Sequence, residues 1–241
     1  MTLTQKLKYH LKSVAPRFML LWYNRLISRL IIQKKYGSHF QIDWKKTAPT
    51  APDRIWTQVY DDSWEDWEGQ DLAPQDIELI KNQIQPQDRI LDAGCGDGYL
   101  LAGLEDRINC PVGIDLSLAA LNKARKRLGS KALLTQAFLE ALPFADNSFD
   151  VVICVHTLEH VRDLSQAVNE LARAARRKLV ILVPVQEYKP YTEDYHIHFF
   201  RDEADLLNRI ALPHAKCIRC RNPPGEYKYQ GDLLFLTVDL Q

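Results

Sequence analysis

The sequence predicts an α/β protein built on a mostly parallel β-sheet with helices on both faces. From residue 88 onward, short apolar runs alternate with amphipathic stretches of about ten residues, the pattern of strands joined by helices. Runs such as Leu179–Val185 are apolar at every position, as expected for strands covered on both faces. A glycine-rich turn follows the first run, and in doubly wound sheets such a turn lies at the ligand-binding edge.

The distribution of charge predicts a separate N-terminal region. The 241 residues include 31 basic and 31 acidic side chains, so the formal net charge is zero. Residues 1–46 nevertheless hold ten basic residues against one acid, and residues 47–106 hold three against fourteen. We therefore predict an N-terminal helical arm and lid over residues 1–75 and a sheet-containing domain over residues 76–241.

The first element of the arm is a basic amphipathic helix. Between Pro16 and Gly37, apolar residues recur at three- and four-residue spacing, with arginines on the other side. The apolar face either packs on the rest of the protein or lies on an anionic membrane surface, and the sequence leaves both uses open.

A linker and an aromatic helix come next. Residues 47–54, which include two prolines, are predicted to form the linker. The helix has four aromatic residues whose spacing places them on one face: Trp56, Tyr60, Trp64 and Trp67. That face either packs on the core or closes over a pocket.

The alternating region then predicts the sheet and its helices. The predicted strands are Arg89–Ala93, Val112–Asp115, Ala132–Gln136, Phe149–Val155, Lys178–Pro184, Ala215–Arg219 and Leu233–Asp239. The predicted helices are Tyr99–Arg107, Leu118–Leu128, Leu164–Ala175 and Asp202–Ile210.

Composition narrows the class of protein. With 46% hydrophobic and 26% charged residues, the chain is globular rather than disordered. Its apolar runs are shorter than the roughly 20 residues of a membrane span, and no secretory signal is recognised, so a cytoplasmic protein is expected. The five cysteines are predicted to be free thiols. Cys217 and Cys220 with His214 lack a fourth zinc ligand, so no metal site is expected.

The segment from Ile90 to Tyr99, Ile-Leu-Asp-Ala-Gly-Cys-Gly-Asp-Gly-Tyr, carries the strongest functional signal. Glycines between a strand and a helix let the backbone approach a ligand closely. The dinucleotide fingerprint G-x-G-x-x-G would need Gly or Ala at position 99, where this chain has Tyr99. Asp115 ends the second predicted strand, where a carboxylate either accepts ribose hydroxyls or caps the following helix. Ser117 already offers the capping role, which favours ribose binding by Asp115.

Together with two further strings, these residues resemble a class I S-adenosylmethionine (SAM)-dependent methyltransferase. The strings are Leu-Pro-Phe-Ala-Asp-Asn-Ser-Phe-Asp-Val-Val at 142–152 and Leu-Glu-His-Val at 158–161. The resemblance covers roughly residues 84–210. It implies a seven-stranded sheet with a reversed final hairpin, and a SAM site across the ends of the first, second and fourth strands.

The resemblance also assigns residues to the cofactor. Asp92, Gly94, Gly96 and Gly98, with Cys95 between them, would line the methionine part of SAM. Asp115 would bind the ribose, Leu116 would pack on the adenine, and the strand end around Val155 would contact the methionine amino group. Two departures stand out. Phe138, followed by Leu139, replaces the acid expected at the adenine amine, and residues 176–178, Arg-Arg-Lys, replace a Pro-Gly-Gly turn.

Candidate catalytic residues follow the fourth and fifth predicted strands. An acceptor hydroxyl must lose its proton, which a histidine can remove. His196 is the first candidate base and His156 the second. His196 and His198 would point to one side if their segment were strand-like, and the alternative is that one orders a loop while the other is structural.

The sequence therefore predicts a SAM-dependent methyltransferase acting at oxygen or nitrogen of a small molecule. One alternative is a membrane-surface enzyme acting on a lipid or quinone-like acceptor, and another is a non-catalytic SAM-binding module. A nucleic-acid substrate is not expected, because the sheet domain is nearly neutral and lacks a nucleic-acid-binding motif. The sequence does not indicate the oligomeric state.

Overall fold

The computed structural model describes residues 34, 36, 48–65, 72–108, 110–188, 195–221 and 231–240. The chain divides into two compact units. The smaller comprises Met1–Pro52 with Lys189–Glu193, and its described part includes a short 3-10 helix, Ala48–Thr50. The larger comprises Asp53–Tyr188 with Asp194–Gln241. Apart from Lys34 and Tyr36, which are helical, the predicted basic helix lies outside the described residues, as does Trp67, and the 1–75 and 76–241 division stays a prediction.

The larger unit contains a seven-stranded sheet. Its strands are β1 (Ile90–Ala93), β2 (Val112–Asp115), β3 (Leu133–Gln136), β4 (Phe149–Val155), β5 (Ala175–Pro184), β6 (Ala215–Cys220) and β7 (Leu233–Asp239). Their order is β3-β2-β1-β4-β5-β7-β6. β7 runs antiparallel to β5 and β6, and the other neighbours are parallel. This confirms the mostly parallel sheet and its reversed final hairpin.

Helices cover both faces of the sheet. They are α1 (Asp53–Glu65), α2 (Pro74–Lys81), α3 (Tyr99–Gly103), α4 (Leu118–Leu128), α5 (Leu164–Ala174) and α6 (Glu203–Ile210). Alternate residues of β4 enter two different apolar clusters, Val152 and Cys154 in one and Val151 and Ile153 in the other. Because successive side chains of a strand point to opposite faces, the two clusters are the two sides of the sheet. Within the described residues, no helix is both long and apolar enough to span a bilayer.

Most predicted boundaries agree with the structure to within one residue, and three differ by more. Helix α3 ends at Gly103 rather than Arg107, because glycine weakens the last turn and residues 104–107 form turns instead. Helix α1 begins at Asp53, inside the predicted linker. The third difference concerns the start of β5.

Strand β5 begins at Ala175, three residues before its predicted start at Lys178. The Arg-Arg-Lys run that replaces the expected turn therefore lies in the strand. Each of its side chains pairs with an acid of a neighbouring segment: Arg176 with Asp150, Arg177 with Asp88, and Lys178 with Asp239 at 2.8 Å. Helix α5 passes into β5 without a connecting loop, because these pairs hold the charged residues in the sheet.

Candidate active site

The turn between β1 and α3 is shaped by glycines. Gly94 and Gly96 have φ angles of +86° and +52°, in the left-handed region that favours glycine. The amides of Gly94 and Cys95 each donate to the carbonyl of Ile114 at 2.8 Å, which ties the turn to β2. The turn also contacts the end of β4, because a Cβ atom on Gly94 would lie 2.2 Å from Thr157 Oγ1. The ends of three strands therefore meet at this turn.

Asp115 ends β2 and faces the glycine turn. Its Oδ2 accepts from the Gly96 amide at 2.9 Å, and its Oδ1 accepts from the Ser117 amide at 2.8 Å. Burial raises the pKa of Asp115 to about 6, although both amide hydrogen bonds oppose the rise. The N-cap of α4 is Ser117, whose Oγ accepts from the Ala120 amide at 3.1 Å. Asp115 is thus not needed as the cap.

Asp92, in β1 directly before the turn, is a buried carboxyl group. It is 1% exposed, and its Oδ2 has no hydrogen-bond partner among the described residues. Burial raises the pKa of Asp92 to about 8, and the charge of Asp115 adds to the rise. An unsatisfied buried polar group costs about 1–3 kcal/mol, and a bound cation would relieve that cost.

Helix α1 packs over the turn. Asp61 accepts from Ser117 Oγ at 2.7 Å and from the Ala119 amide at 3.1 Å. The indole of Trp64 lies against Gly96, where an added Cβ would be 2.7 Å from its Cη2. Lys123 Nζ donates to the carbonyl of Trp64 at the end of the helix. These contacts make α1 a cover over one side of the turn.

The aromatic face of α1 has two environments. Trp56 is 2% exposed and its ring centroid lies 5.9 Å from that of Tyr60, so this part of the face serves packing. Trp64 instead borders the glycine turn. Packing therefore accounts for part of this face, and its closure over a pocket stays a prediction.

The remaining predicted cofactor residues lie at the same edge of the sheet. Cys95 and Gly98 belong to the turn, Leu116 follows β2, Phe138 and Leu139 follow β3, and Val155 ends β4. Burial raises the pKa of the Cys95 thiol well above its usual value, so this cysteine is not a reactive thiolate.

These residues fit the cofactor that the resemblance implies. SAM carries two cationic groups, which suit the carboxyl group of Asp92, and a ribose, which suits that of Asp115. The turn gives its backbone close approach to a ligand, because side chains on Gly94 or Gly96 would collide with neighbouring residues. The individual binding roles stay predictions.

A second polar cluster lies beyond β4 and β5. The rings of His160 and His196 meet edge to face with centroids 4.7 Å apart, and His196 Nδ1 lies 2.6 Å from Gln186 Oε1. His156 has a φ of +49°, and its Nδ1 lies 3.8 Å from Oε1 of the buried Glu159. Both predicted bases are thus placed in polar surroundings at the carboxyl edge of the sheet.

His198 has a structural environment. Its Nε2 lies 2.9 Å from the carbonyl of Val161, and Arg209 donates to its Nδ1 at 3.0 Å, which fixes the neutral ring with the proton on Nε2. Burial and the nearby Arg209 lower the pKa of His198 to about 4. Residues 195–198 are not a strand, so the expectation that His196 and His198 share one side of a strand is wrong.

Three site residues were missed in the sequence. Asp61 holds α1 to α4, Gln186 orients His196, and Arg162 packs on Phe138. Each contact joins parts of the chain that are at least ten positions apart, and no local pattern marks these partners. Among the described residues, no group of three or more His, Cys, Asp or Glu side chains is arranged to hold a metal ion.

Comparisons with known proteins find methyltransferases, as the sequence motifs do. Residues 91–182 match the family described as "Methyltransferase domain". The chain is 32% identical over 132 residues to a ubiquinone/menaquinone biosynthesis C-methyltransferase of Stenotrophomonas maltophilia, covering 49% of this chain and 51% of that protein. It is 40% identical over 92 residues to a ubiquinone biosynthesis O-methyltransferase of Alkalilimnicola ehrlichii, covering 36% and 37%. The chain thus spans about half the length, or less, of these relatives.

The fold is also found among solved structures. Magnesium protoporphyrin IX methyltransferase from Synechocystis, solved with bound S-adenosylhomocysteine (SAH), superposes with a TM-score of 0.56 at 19% identity. That alignment covers 78% of this chain and 98% of the other. At this identity the similarity concerns the fold alone. Sequence motifs, the fold, and the match of residues 91–182 to the methyltransferase family together support a class I SAM-dependent methyltransferase domain in this part of the chain.

Proposed function

We propose that this chain transfers the methyl group of SAM to a small-molecule acceptor, and that the acceptor is a hydroxylated aromatic ring of the quinone-precursor class. The observation that carries the methyl-transfer proposal is the glycine turn flanked by the buried carboxyl groups of Asp92 and Asp115. The relatives support the acceptor class, since two of them are named for quinone biosynthesis.

The residues of the turn would bind and shield the cofactor. SAM supplies a methyl group on a sulfonium, which is already a good leaving group, so alignment and exclusion of water are the main tasks of the protein. Asp115 would accept the ribose hydroxyls, and Asp92 would face the cationic part. Helix α1, fixed by Asp61 and Trp64, would keep water from one side.

A single base would serve methylation at either oxygen or carbon of such a ring. Removing the phenolic proton gives a phenolate, whose electron density is raised on the oxygen and on the neighbouring ring carbons. Methylation at carbon is completed when the proton on that carbon leaves and the phenol oxygen takes up a proton, which restores the aromatic ring. His196 is the better candidate, because donation from its Nδ1 to Gln186 Oε1 leaves the lone pair on Nε2. His156, beside Glu159, is the second candidate.

Turnover can be tested with the purified full chain, SAM and a panel of phenols, catechols and aromatic amines. We expect SAH to form only with hydroxylated rings, and mass spectrometry of the product will show whether carbon or oxygen is methylated. Methylation of amines alone would contradict the acceptor class. If calorimetry detects no SAM binding at millimolar concentration, the enzyme proposal itself fails.

The base assignment predicts the effect of His196→Ala. Loss of a general base lowers kcat by about 10²- to 10⁴-fold, while the Kd for SAM should stay the same. His214→Ala is the matched control, since His214 is an exposed histidine outside this cluster. Equal kcat values for the two variants would exclude His196 and leave His156 to be tested in the same way.

The ribose assignment predicts the effect of Asp115→Ala. Charge-assisted hydrogen bonds to two hydroxyls would be lost, and we expect the Kd for SAM to rise by about 100-fold. Asp115→Asn, which keeps one oxygen to accept from the Gly96 or Ser117 amide, should fold better and bind with intermediate affinity. Calorimetry at constant pH measures both, and an unchanged Kd in a folded Asp115→Ala protein would refute the assignment.

A further inference from the structure

The loop after β3 carries an aromatic ring where nucleotide recognition is expected. Strand β3 neighbours β2, and the Ala137 amide donates to the carbonyl of Asp115 at 3.1 Å, so Phe138 lies next to the end of β2. A ribose held by Asp115, with the rest of the cofactor over the glycine turn on the β1 side, directs its base toward β3. Phe138 is therefore at the base-binding end of the proposed site.

The guanidinium of Arg162 stacks on the ring of Phe138. The guanidinium of Arg162 lies 4.4 Å from the ring centroid of Phe138 and 5.9 Å from that of Trp56 in α1. Arg162 Nη1 also pairs with Asp53 Oδ1 at 2.7 Å, and the Arg162 side chain is only 22% exposed. Stacking and pairing together hold the planar group in one orientation.

The two carboxylates next to Arg162 already accept hydrogen bonds from its backbone amide or its guanidinium. Glu140 Oε1 accepts from the backbone amides of Arg162 and Asp163 at 2.7 and 3.3 Å, and Asp53 accepts from the guanidinium. At the position where an acid is expected, the ring of Phe138 and the guanidinium stacked on it present a ring face and hydrogen-bond donors. An arginine has five N–H donors and no acceptor, so it cannot bind the exocyclic amine of adenine but does bind ring nitrogens or a carbonyl oxygen.

We propose that Arg162, stacked on Phe138, determines base specificity, and that the cofactor site does not require an amine at position 6 of the purine. A hypoxanthine base, with a carbonyl in place of the amine, should bind at least as well as adenine. This inference rests on the proposed function, because it assumes that the site binds SAM and its product.

The test compares the Kd of SAH with that of S-inosylhomocysteine, which differs from SAH only in the base. For the native protein we expect the two Kd values to agree within about threefold, or to favour the inosyl compound. A site in which a carboxylate accepts a hydrogen bond from the adenine amine would favour SAH by about 10- to 100-fold. A native preference of that size for SAH would overturn the proposal.

Two variants test whether Arg162 and Phe138 determine the preference between the two bases. Arg162→Ala should weaken binding of the inosyl compound more than that of SAH. Adding Phe138→Asp to that variant supplies a carboxylate no longer paired with the arginine, and the double variant should prefer SAH by tenfold or more. Arg125→Ala, which removes an exposed arginine of α4 that bonds to Asn122, is the control and should change neither Kd.

The outcomes separate this inference from the proposed function. If the native protein binds neither compound, the cofactor site is wrong and both proposals fail. If it binds SAH and strongly rejects the inosyl compound, the cofactor site stands and only the specificity proposal fails. Unchanged Kd values for both compounds in a folded Arg162→Ala protein would also overturn the role of Arg162.

Discussion

Replacing Gly94 with alanine should lower the free energy of unfolding by about 3–5 kcal/mol and abolish cofactor binding. The φ of +86° alone makes any side chain unfavourable at this position. In addition, the new Cβ would lie 2.2, 2.4 and 2.8 Å from the Oγ1, Cγ2 and Cβ atoms of Thr157. The turn or the end of β4 must therefore move, and both belong to the proposed site.

Gly129→Ala is the matched control. Gly129 has a φ of +72°, close to that of Gly94, but a Cβ added there has no atom within 4 Å. Gly129, with φ +72° and ψ −163°, lies in a region that only glycine adopts readily, so denaturant unfolding of Gly129→Ala measures a backbone cost of about 1–3 kcal/mol without a collision. Thr157→Ala should restore part of the stability of the Gly94→Ala protein. Equal losses in the two glycine variants would show that the contact with Thr157 is not limiting.

Asp92→Asn should have opposite effects on stability and on cofactor binding. The pKa of Asp92 is raised by burial to about 8, against the usual 3.8. Between these values the folded protein retains a proton that the unfolded chain has lost, so stability falls as the pH rises from about 4 to 8. From pH 5 to pH 7 this group alone lowers the free energy of unfolding by on the order of 3 kcal/mol. The Asp92→Asn protein should not show this decrease.

Cofactor binding by Asp92 should show the reverse dependence. A cationic ligand favours the ionised carboxylate, so SAM binding should release a proton and the affinity should rise from pH 6 to pH 8. Calorimetry in buffers of different ionisation enthalpy measures that release. Asp92→Asn should bind SAM about 10- to 100-fold more weakly and release no proton at this site.

The control for Asp92 is Glu105→Gln, which removes an exposed carboxylate outside the sheet. Its stability profile and proton release should match those of the native protein. If Asp92→Asn also keeps the native pH profile, Asp92 is already ionised in the free protein and the charge argument is incorrect.

Much of the fold could be predicted because its signals are local. Largely apolar runs predict β2, β4 and β7 with the bounds that the structure shows. The glycine spacing located the turn in the same way. The start of β5 could not be predicted, because Arg176 and Arg177 are compatible with a strand only when Asp150 and Asp88 lie beside them.

The candidate site likewise combines residues that local sequence identifies with contacts that only tertiary packing forms. Asp115 was identified from its position at the end of β2, and Asp92 was assigned by the resemblance to class I methyltransferases. Their burial, which sets their pKa values, depends on how the whole sheet is covered. The role of His198 depends on Arg209 in another helix, and that of Arg162 depends on a ring 24 positions earlier. Such pairings are formed by tertiary packing and leave no spacing to recognise.

The hold of α1 on the glycine turn has a consequence for the order in which the chain folds. A 13-residue helix is marginally stable alone, so α1 needs its tertiary contacts. Those contacts, with Gly96, Ser117 and Lys123, come more than thirty residues later in the chain. On the ribosome α1 therefore emerges first but gains its docking surface only after α4 has formed. Strand β4, whose end also meets the glycine turn, is synthesised after α4, so the surface on which α1 docks is complete in the chain before the whole site is.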